Sequence, residues 1–117
     1  MRRLGIIDLG TNSARLLIAD VSDAGELFPV ASDRCACRLG AGLSESGRID
    51  PQAEERSAQA LLQLVDRANG LGEVTLRIIA THSLRSADNG PAVHGRLEER
   101  IRRPITVVSG QREAHLV

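Results

Sequence analysis

The sequence predicts an α/β fold: a mixed sheet that opens with three antiparallel strands and continues in α/β units. Three observations carry this. Residues 6–18 set two short Ile- and Leu-rich runs on either side of a small polar loop, as a β-hairpin does. Residues 50–70 hold one long helical period with a proline at its start and a glycine at its end. Apolar β runs then recur at 74–80 and 105–108, each after a helical segment.

The elements follow in order. Residues 3–9 form a first strand and 14–21 a second, joined through Asp8–Ser13. Ser22-Asp23-Ala24-Gly25 is a turn. A third strand spans 26–39, bent near Pro29, and the three make an antiparallel meander. Cys35 and Cys37 lie two apart on that strand, share a face at period two, and suit structural thiols. The glycine-rich stretch 40–48 is a connection, with a mobile substrate loop as the alternative.

Asp50 suits an N-cap and Pro51 the first helical position. Ala53, Ser57, Ala60, Leu61, Leu64, Val65 and Ala68 recur at helical spacing and make one packing stripe. The charged residues form a solvated face, and Asn69-Gly70 ends the helix in the manner of a left-handed cap. The strand at 74–80 feeds Thr81-His82-Ser83-Leu84-Arg85 at its carboxyl end, where open α/β sheets bind ligands. Asn89-Gly90-Pro91 breaks the next helical pattern, a helix runs from about Pro91 to Arg102, and Pro104 stops it. Ile105–Val108 is a last strand, Ser109-Gly110 a turn, and Gln111–Val117 begins like a helix with apolar Leu116 and Val117 at its end, so a continuation is expected.

Composition narrows the function. The chain has 117 residues, one domain or one lobe, and its fifteen basic and fifteen acidic residues balance. That balance argues against a nonspecific polyanion surface. Every basic residue is Arg. A Walker-type phosphate loop and Schiff-base chemistry, which need Lys, are excluded. Phe28 is the sole aromatic residue, so a stacking platform for nucleic acid is absent. No apolar run is long enough to span a membrane and no signal peptide precedes the first strand, so a cytoplasmic location is expected.

Three polar patches stand at strand ends: Asp8–Ser13, Thr81–Arg85 and Ser109–Glu113. In the first, Gly10 permits close backbone approach and successive N–H groups can cradle an anion. Thr11, Asn12 and Ser13 add donors, and Asp8 can hold a hydrated divalent cation. An ordinary turn has the same composition. The second patch brings Arg85, a planar fork for phosphate oxygens. The third brings Glu113 near a helix start, able to orient or deprotonate water. His82 suits support of its loop, and His94 and His115 suit the surface.

Ile7-Asp8-Leu9-Gly10-Thr11-Asn12-Ser13 with Arg15-Leu16-Leu17-Ile18, then Ala80–Arg85 with Asn89, then Val108-Ser109-Gly110 with Glu113-Ala114, resemble the exopolyphosphatase / guanosine pentaphosphate phosphohydrolase (Ppx/GppA) family. Arg38-Leu39-Gly40, Gly42-Leu43 and Gly47-Arg48-Ile49 fit between them, so the resemblance covers the chain from end to end. It implies an actin-like, ribonuclease-H-like fold, with residues 1–117 the N-terminal part of the first lobe. It implies Asp8–Ser13 as the first phosphate loop, with Gly10, Thr11, Asn12 and Ser13 on phosphate and Asp8 on Mg²⁺ through water. Arg85 would grip substrate phosphate, and Glu113 would be the base that activates water. The substrate would be polyphosphate or guanosine pentaphosphate, without nucleic-acid or membrane partners, and a homodimer of the intact protein is allowed for. The sequence departs from the family in having Arg112 where an acidic residue is frequent and Ala14 in place of a bulkier side chain. The family's second phosphate loop and second lobe are not in these residues. A noncatalytic phosphate-binding lobe, an inactive fragment and a kinase of the same superfamily are the alternatives.

Overall fold

The computed structural model describes residues 1–108. Strands β1 (Arg2–Leu9), β2 (Ser13–Val21) and β3 (Leu27–Ala36) come first. Helices α1 (Leu43–Ser46) and α2 (Pro51–Asn69) follow, then β4 (Thr75–Ala80), α3 (His82–Ser86), α4 (Gly90–Ile101) and β5 (Thr106–Val107). The sheet runs in the order β3-β2-β1-β4-β5. The first three strands are antiparallel, as the sequence predicts, and β1, β4 and β5 are parallel, as in the fold that the resemblance implies.

Period two decides what each sheet face carries. Ile7 and Leu9 of β1 and Ala14, Leu16 and Ile18 of β2 are buried against the helices. They form one core with Leu61 and Leu64 of α2 and Val93, Leu97 and Ile101 of α4. The intervening residues, Ile6 and Asp8 on β1 and Arg15 and Leu17 on β2, face the other way, and Leu17 is 56% exposed. Every residue of the predicted α2 stripe is buried. Asp50 caps that helix, its carboxylate accepting from Gln52 N at 2.9 Å, with Pro51 in the first turn.

Four expectations change. The connection at 40–48 contains the short helix α1, held between Gly42 and Gly47, both at positive φ. Gly70 ends α2 at φ −72°, not left-handed, while Arg102 takes the left-handed position after α4 at φ 58°. Glu54 and Glu55 are not merely solvated: they pair with Arg96 at 2.7 Å and Arg100 at 2.6 Å on α4. His94 is half-buried, its Nε2 lying 2.6 Å from the carbonyl of Ile105. Glu98 Oε2 accepts from Ile105 N at 2.7 Å, so α4 holds the chain entering β5 at both backbone groups.

The 40–50 segment is tied down rather than loose. Asn89 accepts from Ile49 N at 2.8 Å and donates to Ile49 O at 3.0 Å, as a strand neighbour would. Asp88 N donates to Gly47 O at 2.8 Å. Cys37 is buried and Cys35 half-buried; burial, then the nearby Asp33, pushes the Cys35 thiol up from its ordinary value, which disfavours the reactive thiolate.

Candidate functional site

The carboxyl ends of β1, β4 and β5 lie side by side. Thr81 N donates to Leu9 O at 3.3 Å, and Val108 N donates to Ala80 O at 3.0 Å. These bonds bring the Asp8–Ser13 loop and the Thr81–Arg85 segment together, with Val108, the residue before Ser109, beside them. Ser109–Val117 lie outside the described residues, and so do the predicted terminal turn and helix, Arg112, His115 and the candidate base Glu113.

The Asp8–Ser13 loop closes on itself through Gly10 N donating to Ser13 O at 3.0 Å. The chain after β3 then straps it: Cys37 N and Arg38 N donate to Asn12 O at 3.1 and 2.9 Å, and Gly40 N donates to Thr11 O at 3.1 Å. Ser83 Oγ bonds Thr11 Oγ1 at 3.2 Å from the side of α3. The strap consumes loop carbonyls. Among the described residues no acceptor takes the amides of Thr11 and Asn12, which leaves two N–H groups for an anion. Gly40 has no room for a side chain, since a Cβ would sit 2.3 Å from Thr11 Cγ2.

Asp8 projects from the face of the sheet opposite the helices, its Oδ1 enclosed by protein atoms. It stands directly across from Arg15 on β2. Both border an open cavity of about 960 Å³, together with Leu17, Arg34, Ile79 and Thr81. A single carboxylate with neighbouring hydroxyls fits Mg²⁺, which keeps several waters and takes one or two carboxylates plus substrate phosphates. Arg85 is exposed on α3, and its Nη1 donates to Val108 O at 2.6 Å. That bond fixes the guanidinium at the mouth of the strand ends. His82 Nδ1 lies 3.2 Å from Ser86 Oγ, within its own short helix.

Arg15 enters the site without a signal of its own in the sequence, although hairpin symmetry places it there. In an antiparallel hairpin closed at residues 10–13, positions 8 and 15 face each other.

Comparison with known proteins agrees with this fold. The Ppx/GppA protein of Aquifex aeolicus superposes with a TM-score of 0.88 at 25% identity, over 96% of this chain and 36% of that one. An exopolyphosphatase from Cytophaga hutchinsonii gives a TM-score of 0.90 at 28% identity, over 99% of this chain and 37% of that one. The chain thus spans little more than a third of the length of these relatives. The ethanolamine utilization protein EutJ of Carboxydothermus hydrogenoformans, at TM-score 0.53 and 12% identity, shares the fold alone. The sheet and helices are those of the actin-like ATPase fold, in a partial domain. With the family model for Ppx/GppA phosphatases matching residues 17–117, the chain belongs to the Ppx/GppA phosphatase family.

Proposed function

We propose that the chain supplies one wall of a phosphohydrolase site that releases terminal phosphate from polyphosphate or guanosine pentaphosphate. The observation that carries this is the convergence of the Asp8–Ser13 loop, Arg85 and Val108 at neighbouring strand ends. The amides of Thr11 and Asn12 and the hydroxyl of Ser13 hold phosphate oxygens, and Gly10 lets the backbone come close. Arg85 and Arg15 place guanidinium groups over the same oxygens. Asp8 holds Mg²⁺ through water; when bound, the ion neutralises charge developing on the transferred group. Glu113 takes a proton from a water. The oxygen of that water bonds to the terminal phosphorus as the bridging P–O bond breaks, and the shortened phosphate chain leaves.

The test uses the intact protein with Mg²⁺ and, separately, polyphosphate and guanosine pentaphosphate. Phosphate release from at least one, abolished by EDTA, is the expected result. Tight binding of both without release would replace this reading with that of a phosphate-sensing lobe, and ATP-dependent transfer to an acceptor would replace it with a kinase.

A further inference from the structure

The open face of the sheet carries a row of charged side chains that the reaction above does not fully use. Asp8 pairs with Arg15 across β1 and β2, and Arg15 pairs with Arg34 across β2 and β3. Directly opposed residues share a face, so the order on that face is Asp8, Arg15, Arg34. At about 4.8 Å between strands, the row covers about 10 Å from the loop to the sheet edge.

Two guanidinium groups placed directly opposite repel each other, an arrangement that strand pairing ordinarily avoids. Here it results from a bulge. Near the β2–β3 turn the pairs are Val21 with Leu27, Asp20 with Phe28 and Ala19 with Pro29. That register, continued, would set Arg15 opposite Asp33 in a favourable ion pair. The register instead shifts between Ile18 and Ala19, and Val30 has no partner. From there on Leu16 faces Asp33 and Arg15 faces Arg34. One extra residue has turned the carboxylate away and brought a second arginine onto the Asp8 face, the re-aiming that bulges perform beside functional sites.

The neighbours keep both cations available. Among the described residues neither Arg15 nor Arg34 is in an ion pair. Asp33 also borders the cavity, but its Oδ1 accepts the backbone N–H of Arg34 at 2.8 Å. Arg34 Nε donates to Ser13 Oγ at 3.2 Å, which aims this exposed guanidinium back along the phosphate loop.

We propose that Arg34, beside Arg15 and hinged on Ser13, forms an outer subsite for a linear phosphoanhydride chain, holding phosphate groups that lie beyond those in the Asp8–Ser13 loop. This rests on the proposed function, since it extends the same binding surface. The ligand class is a run of several linked phosphates. The Thr11 and Asn12 amides take the first phosphate, and Arg34, on the Ser13 side of the loop, takes the groups that follow.

The experiment titrates the intact protein, wild type and Arg34→Gln, with pyrophosphate, long-chain polyphosphate and guanosine pentaphosphate, in EDTA at low ionic strength so that turnover does not consume the ligand. Arg34→Gln should weaken long-chain polyphosphate by about tenfold and pyrophosphate by less than about twofold. Arg34→Lys, which keeps the charge, should recover most of the loss. An equal loss for guanosine pentaphosphate shows that phosphates from either source reach the subsite, and a loss for polyphosphate alone assigns it to the inorganic chain. Wild-type binding unchanged by Arg34→Gln, or weakened equally for pyrophosphate, overturns the subsite and leaves the proposed function standing. No wild-type binding of long-chain polyphosphate also overturns the subsite, while the proposed function is judged separately by Mg²⁺-dependent phosphate release.

Discussion

Glu113→Gln in the intact protein should lower phosphate release about 10³-fold, within the range that a positioned general base contributes. Gln matches Glu in size and still bonds a water, but it has no basic carboxylate to receive the proton. The loss should therefore fall on kcat with KM little changed, because the substrate contacts proposed for the loop and Arg85 are untouched by this change. Thermal melting of the variant should match wild type, which separates lost chemistry from lost fold. Equal rates for wild type and Glu113→Gln would remove the base assignment while leaving the phosphate-binding surface intact.

Gly90→Ala should destabilise the protein by about 2–3 kcal/mol, read as a lower urea midpoint at unchanged slope. Gly90 starts α4 and is buried where the chain turns back over α3. A Cβ there would lie 2.2 Å from Leu84 O and 3.2 Å from Leu84 C. Those are backbone atoms in the middle of α3 and cannot rotate aside. Alanine's helix propensity returns about 1 kcal/mol, so the clash dominates. Gly95, exposed on the same helix with nothing within 4 Å of a Cβ, is the control. Gly95→Ala should be neutral or stabilising by up to about 1 kcal/mol. If both changes behave alike, the close approach at Leu84 is not what selects Gly90.

The sequence exposes features whose cause is local. The α2 stripe, the Asp50-Pro51 start and the strand runs each follow from a period or a cap within a few residues, and all are present. Helix α1 was hidden because it buries no residue and sits between two glycines, which in sequence look like a plain connection. His94 looked superficial because its partner, Ile105, is set by how α4 packs rather than by neighbours along the chain. The site shows the same division. The Asp8–Ser13 and Thr81–Arg85 patches were legible as strand ends, while the third, with Glu113, falls outside the described residues. Arg34 was not legible at all. Counting pairs back from the β2–β3 turn gives Arg15 an acidic partner, and only the unpaired Val30 reverses that.

The central position of β1 in the sheet carries a consequence for the order of folding. Its pairing with β2 joins residues at most 19 apart, Arg2 with Val21. Its pairing with β4 joins Leu4 to Thr75, 71 residues apart. Loop-closure entropy favours the near partner first, so the three-stranded meander forms ahead of the parallel half. The bond from Thr81 N to Leu9 O, which seats the second patch against the first, forms only when that distant closure is made. In pulsed hydrogen exchange during refolding, amides of the β1–β2 ladder should be protected before those of β4. Simultaneous protection would mean that the meander does not form alone. The Asp8–Ser13 loop is thus formed early with its two flanking strands, and the Thr81–Arg85 segment that lies beside it arrives last.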